Sequence, residues 1–100
     1  MPEVVAALVA KKILLHREVE ALAHLFISRE GKSITLRPQI LARRLEAMPE
    51  DKAEQHRKAL ESGVEVGIVE KSSFGVLRPE FAYRIRPVWG PRIKAYLREH

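Results

Sequence analysis

Residues 56–71 read HRKALESGVEVGIVEK, and this segment constrains the fold more than any other part of the chain. Leu60 and Val64 lie one helical turn apart, so the first half has helical periodicity. The pattern then meets Gly67 and continues as IVEK, in which two β-branched residues come before two charged ones. Glycine readily adopts the left-handed conformation that ends helices, and β-branched residues favour strands. The sequence therefore predicts a helix over 50–66 that ends at Gly67 and leads directly into a short strand.

The residues on either side of this segment predict a second helix and a hairpin. Residues 33–36, SITL, form a short β-type run, and the sequence RPQILARRLEAM follows it. Proline is tolerated only in the first turn of a helix, so a helix is expected to begin at about Pro38. A further β-type run at 81–86 is separated from the strand at 68–71 by a turn-rich middle, which predicts a β-hairpin.

Both ends of the chain are predicted to be helical. Residues 3–30 contain no proline or glycine, and their apolar residues recur at spacings of three and four, with Lys12 interrupting the row. Members of this stripe are Val5, Leu8, Leu15, Val19, Leu22 and Phe26. The pattern fits one long helix or two helices with a break near His16. The last ten residues, which follow Gly90 and begin with Pro91, predict a short basic amphipathic helix.

Size and composition indicate one ordinary globular domain. The chain has 100 residues, of which 46% are hydrophobic and 31% charged. It contains no cysteine, which excludes disulfides and cysteine-based zinc sites. Asparagine is also absent while arginine, lysine and glutamate are abundant, a balance typical of thermophilic proteins. The longest apolar run, 4–10, is too short to span a bilayer, and no targeting segment is recognisable, so we expect a cytoplasmic protein that does not enter a membrane.

The net charge of +5 is concentrated in the C-terminal third of the chain. Residues 71–98 carry seven basic side chains against one carboxylate, Glu80, whereas residues 1–32 carry five basic side chains against four acidic ones. A basic region of this kind favours a polyanionic partner.

The order helix, short strand, helix, helix, hairpin, helix resembles the winged helix-turn-helix family over residues 33–86. PQILARRL is similar to the first helix of the helix-turn-helix pair, and HRKALESGVEVGIVEKS to the recognition helix running into the wing. The expected fold is therefore mainly α with a small β-hairpin, in a single domain. Its parts are an N-terminal helical segment (1–32), the helix-turn-helix and wing (33–86) and a C-terminal basic helix (87–100).

The resemblance implies binding to double-stranded DNA, with the third helix in the major groove and the wing along a phosphate track. Gln55 is the residue best suited to reading a base, because an amide pairs bidentately with adenine. The side chains expected to contact DNA are Arg37, Arg43, Arg44, Lys52, Gln55, Lys58, Lys71, Arg78, Arg84 and Arg86. The function this implies is that of a transcriptional regulator or a chromatin-type binder.

The charge of the third helix leaves an alternative open. Residues 50–66 hold three basic and five acidic side chains, and carboxylates repel phosphates. Many winged helices bind proteins instead of DNA, so the alternative is an interaction module in a replication, transcription or ribosomal assembly.

Apolar residues outside the predicted core suggest a homodimer built by the terminal helices. The expected interface residues are Val5, Leu8, Val9, Ile13, Ile93 and Leu97. We find no catalytic set, no metal-ligand spacing among the four histidines and no phosphate-cradling glycine loop, so we expect no enzyme activity, no metal, no cofactor and no small-molecule ligand. His56, on the inward face of the third helix, is expected to be a hydrogen-bonded core residue.

Overall fold

The computed structural model describes residues 2–74 and 80–100, which form five α-helices and a three-stranded antiparallel sheet. The mainly helical α+β class predicted from the sequence is therefore confirmed. In chain order the elements are α1 (Pro2–Ala10), α2 (His16–Phe26), β1 (Thr35–Leu36), α3 (Pro38–Glu46), α4 (Glu50–Glu65), β2 (Val69–Phe74), β3 (Glu80–Ile85) and α5 (Trp89–Glu99).

Gly67 ends α4 as predicted. Its φ of +84° is left-handed, its N–H donates to the carbonyl of Val64 (3.1 Å), and the N–H of Ile68 donates to the carbonyl of Gly63 (2.9 Å). These two bonds form the Schellman arrangement, which satisfies carbonyls that have no partner within the helix. Ile68 is fully buried, and β2 begins at the next residue. Gly67 thus connects α4 to the sheet without a longer loop.

The sheet has the strand order β1-β3-β2, with β3 in the centre. Antiparallel pairing places Val69 opposite Ile85, and Thr35 opposite Arg84. Leu36, Val69 and Ile85 are buried on the inner face, which packs on the helices. Because side chains alternate between the faces of a strand, Thr35 and Arg84 belong to the outer face.

The N-terminal segment consists of two helices. α1 ends at Ala10, and Lys12 adopts a left-handed φ of +59° before Leu14 enters the core. The side chain of Glu18 then accepts a hydrogen bond from the N–H of Leu15 (2.8 Å), which satisfies one free donor at the start of α2. This resolves the choice between one helix and two, with the break directly before His16.

Two predicted boundaries shift in the structure. α5 begins at Trp89, before Gly90 and Pro91, because a proline in the first helical turn removes no intrahelical hydrogen bond. The strand predicted at 33–36 is only Thr35–Leu36, while Ser33 forms an isolated bridge with Ile27.

The core is centred on α2, where Val19, Leu22, Leu25 and Phe26 are all fully buried. α4 packs on one side of this helix and the α1–α5 pair on another. Among the described residues, no helix combines the length and apolar character needed to cross a bilayer.

Because α1 packs on α5, part of the predicted dimer interface is buried within the single chain. Val5 (0% exposed) and Ile93 (1%) are buried within the single chain, so they offer no surface to a second copy in this fold. Leu8, Val9 and Leu97 are half-buried against the same core, whereas Ile13 is 48% exposed. The apolar stripe of α1 that suggested a second copy is thus largely covered by α5. The homodimer itself stays a prediction.

Candidate nucleic-acid interface

The solvent face of α4 is acidic. Its most outward residues follow spacings of three and four and form one exposed stripe, the outer stripe of α4, made of Asp51, Glu54, Lys58, Glu61 and Glu65. Four carboxylates and one ammonium group therefore face the solvent along the whole helix. Lys58, predicted to contact DNA, lies within this acidic stripe. Insertion of this face into a DNA groove would bring carboxylates close to phosphates.

Lys52 and Gln55, both exposed, lie on the flank of α4 that faces α2. Together with side chains of α2 they line a shallow cleft of about 260 Å³, the α2–α4 cleft. Its charged and polar lining residues are Arg17, Glu20, His24, Lys52, Gln55 and His56. The structure thus joins two predicted contacts with Arg17 and His24, which the sequence did not indicate. No spacing rule links residues on α2 to residues some thirty positions later on α4.

A pair of histidines forms the inner wall of this cleft. His56 is 5% exposed, and its Nδ1 lies 2.8 Å from the carbonyl oxygen of Lys52. Its Nε2 lies 3.0 Å from Nδ1 of His24, so the expected hydrogen-bonded core role of His56 is confirmed. The pKa of His24 is lowered, most strongly by partial burial and after that by the nearby side chains of His56, Lys52 and Arg44. A cation at this position is disfavoured because the surrounding charges are also positive.

A second group of predicted contacts lies on the outer face of the sheet. Arg84 lies in β3, and Arg86 directly follows the last residue of that strand. Arg37 follows β1 in extended backbone, so the alternation of side chains places it on the same face as Thr35. These three residues are called the arginine face. Glu70 partly neutralises it: Nε of Arg84 donates to its carboxylate at 2.8 Å, and Nη1 of Arg86 lies 3.9 Å from the other oxygen. The hydrogen bond from Arg84 lowers the pKa of Glu70.

Arg43 and Arg44 are neighbours on α3 with different roles. Arg44 is half-buried, and its Nη1 donates to the carbonyl oxygen of Leu25 at 2.8 Å, in the last turn of α2. A guanidinium at a helix C-terminus satisfies a free carbonyl and interacts favourably with the helix dipole. This bond gives Arg44 a structural role in the fold, and its contact with DNA phosphates stays a prediction. Arg43, the preceding residue, lies about 100° away around the helix axis and is exposed to solvent.

Lys71 lies on the inner side of the hairpin, apart from the arginine face. Its ammonium group sits 4.1 Å from the centre of the Phe81 ring, a favourable cation–π contact. It also borders an apolar groove of about 420 Å³ between α3, α4 and the sheet, with a floor of Leu41, Leu45, Leu60, Val64 and Tyr83. The groove exists because α3 buries none of its side chains completely. Ile40, on the same helix, is 39% exposed.

The predicted contacts are thus divided among several surfaces. Arg78 lies outside the described residues. In residues 2–74 and 80–100 no cluster of three His, Asp or Glu side chains is placed to hold a metal ion. Comparisons of the chain with protein-family models, curated proteins and solved structures found no match. The kind of ligand that suits the arginine face and the α2–α4 cleft therefore has to be inferred from the side chains of these two surfaces.

Proposed function

We propose that this chain is a cytoplasmic winged helix-turn-helix domain that binds double-stranded DNA, mainly through its phosphates. The observation that supports the proposal is the element order from α2 to β3, a helix–strand–helix–helix–hairpin unit, combined with three arginines on the solvent face of its sheet. Guanidinium groups suit phosphate binding because they stay charged and donate in a planar fork.

Two basic surfaces provide the contacts in this proposal. The arginine face binds phosphates beside the hairpin, and Lys52 and Arg17 bind phosphates at the mouth of the α2–α4 cleft. The outer stripe of α4 does not enter the groove deeply, because four carboxylates oppose it. Such an interface supplies affinity with little base readout, which is typical of an architectural binder. Gln55 is the remaining side chain suited to a base contact.

The test is an electrophoretic shift with a duplex over a series of salt concentrations. Each phosphate contact contributes roughly 0.9 to the slope of log affinity against log salt concentration. Replacing Arg37, Arg84 and Arg86 together by alanine should therefore reduce the slope by up to ~2.7 and weaken all sequences similarly.

A control variant carries the same loss of charge at exposed positions elsewhere: Lys11→Ala, Arg29→Ala and Arg98→Ala. If DNA binding depends on the arginine face, this variant keeps most of the wild-type slope. Equal losses in the two triple variants would mean that only net charge matters and would refute the assigned surface. Circular dichroism at the assay temperature checks that each variant is folded.

A protein-binding winged helix is the second candidate, and the acidic outer stripe favours it. Glu61 and Glu65 stand beside the apolar groove, so a partner segment with basic and aliphatic side chains would complement both surfaces. This candidate replaces the first if the wild-type chain shifts no duplex even at low salt.

A further inference from the structure

The hydrogen bonds of the histidine pair determine where protons sit on both rings. A carbonyl oxygen only accepts, so Nδ1 of His56 must carry the hydrogen directed at Lys52. In the neutral ring Nε2 of His56 then accepts, and Nδ1 of His24 donates to it. Neutral His24 therefore has a bare Nε2, on the side of its ring away from His56. Protonation of that atom is the way to add a proton while keeping both hydrogen bonds.

Protonated His24 becomes a donor at the surface of the α2–α4 cleft. Lys52 and Arg17 line the same cleft and carry positive charge, and Gln55 adds an amide donor. Glu20 is the carboxylate of the lining, and it lies 3.7 Å from Nε2 of His16. When His24 is protonated, the lining of the cleft holds three cations and one anion. An adjoining pocket shares Arg17 and Gln55 with the cleft, and its other charged residues are Glu18, Asp51, Glu54 and Lys58.

We propose that the α2–α4 cleft binds a phosphate group, with Nε2 of His24 donating a hydrogen bond to it and Lys52 and Arg17 balancing its charge. If the phosphate belongs to DNA, this inference rests on the proposed function. If the phosphate is free, the inference does not depend on the proposed function. Binding of a DNA phosphodiester at this cleft takes up a proton, because its oxygens carry no hydrogen and bare Nε2 offers none.

The charges that face His24 agree with an anion site. From its own helix they are Glu20 and Arg17, from α3 Arg44, and from α4 Lys52 and the His56 ring. The charged neighbours that lower the pKa of His24 are on α3 and α4. A bound phosphate opposes their effect and raises that pKa, so phosphate affinity increases as the pH falls.

The first experiment uses the whole chain and inorganic phosphate. Proton NMR follows the imidazole signals of the four histidines from about pH 5 to 8, in phosphate and in chloride of equal ionic strength. Phosphate should raise the titration midpoint of His24 and leave that of His100, at the C-terminal end, in place. An unchanged midpoint of His24 in phosphate argues against a free-phosphate site.

The second experiment uses duplex DNA at constant salt. Affinity of the wild-type chain should fall about tenfold from pH 5.5 to 8, because bound DNA raises the pKa of His24 and binding therefore takes up a proton. His24→Gln keeps a donor for His56 but cannot titrate, so its affinity should change less than about threefold. His100→Gln is the control and should behave like the wild type.

The two experiments separate the two proposals. A midpoint of His24 that rises in phosphate, in a chain that binds no duplex, supports the cleft and refutes DNA binding. Duplex binding with equal pH dependence in the wild type and His24→Gln, together with an unmoved midpoint in phosphate, refutes the cleft and leaves DNA binding standing.

Discussion

Gly63→Ala tests whether α4 is placed against the sheet by a missing side chain. A Cβ at this position would lie 2.7 Å from Cγ2 of Val69 and 3.2 Å from Cδ2 of Leu22. Real Cβ atoms do not approach other atoms as closely as 2.7 Å, so one neighbour must move. Val69 is 2% exposed and Leu22 fully buried, and a β-branched valine has few alternative rotamers. The added methyl group therefore strains the junction of α2, α4 and β2.

Two opposing terms set the expected size of the effect. Overpacking a buried site costs about 1–3 kcal/mol, and replacing a helical glycine by alanine returns about 1 kcal/mol. Gly63 has no positive φ, so alanine meets no backbone strain there. We expect a net loss near 1 kcal/mol in the free energy of unfolding. For a domain of this size that lowers Tm by about 4–8 °C.

The assay is urea unfolding followed by circular dichroism, for a cycle of four proteins: wild type, Gly63→Ala, Val69→Ala and the double variant. Val69→Ala removes the methyl group that the new Cβ would strike. In that background Gly63→Ala should be neutral or stabilising by up to about 1 kcal/mol, since the helix-propensity term then dominates. If Gly63→Ala stabilises the wild-type chain, or changes both backgrounds equally, the close approach does not limit the packing.

Two further predictions concern charged groups whose roles the structure separates. Arg44→Met, which removes the bond to the end of α2, should cost about 1–2 kcal/mol of stability in urea unfolding, whereas Arg43→Met on the solvent side should cost almost nothing; equal effects would contradict the structural role of Arg44. Glu70→Gln should reduce the acid sensitivity of stability: the folded pKa of Glu70 lies below its unfolded value, so its stabilisation is complete above pH 4.5 and is lost as the pH falls below that. Urea unfolding from pH 7 to 3, with Glu80→Gln as the control, checks this; parallel curves for Glu70→Gln and wild type would show that the pair with Arg84 contributes nothing.

The elements predicted best were those with a strong local cause. Gly67 ends α4 because a left-handed residue is needed there, and Pro38 begins α3 because proline fits only a first turn. Whether α1 and α2 are one helix or two could not be decided from the sequence, because the left-handed residue at the break is Lys12 and lysine carries no such preference. The start of α5 was predicted two residues too late, at Pro91, because proline is tolerated at several positions of the first helical turn.

The candidate interface was harder to predict because it depends on contacts between distant residues. Arg43 and Arg44 are indistinguishable by sequence, and only the position of the α2 C-terminus gives one of them a partner. The pairing of His24 with His56 likewise requires α2 and α4 to be adjacent. Helical periodicity placed His56 on the inward face of α4, which the structure confirms. It could not show that Lys52 and Gln55 face a neighbouring helix instead of open solvent.

The shallow seating of α3 has a consequence for the way this domain moves. α3 has no fully buried side chain and is attached by half-buried leucines and the two hydrogen bonds of Arg44. It therefore separates from the body at less cost than the whole domain needs to unfold. Local opening would begin there, with its backbone amides exchanging with solvent before those of α2. A molecule that binds beneath α3 would then displace only this helix, by a small and reversible movement, while the rest of the domain stays intact.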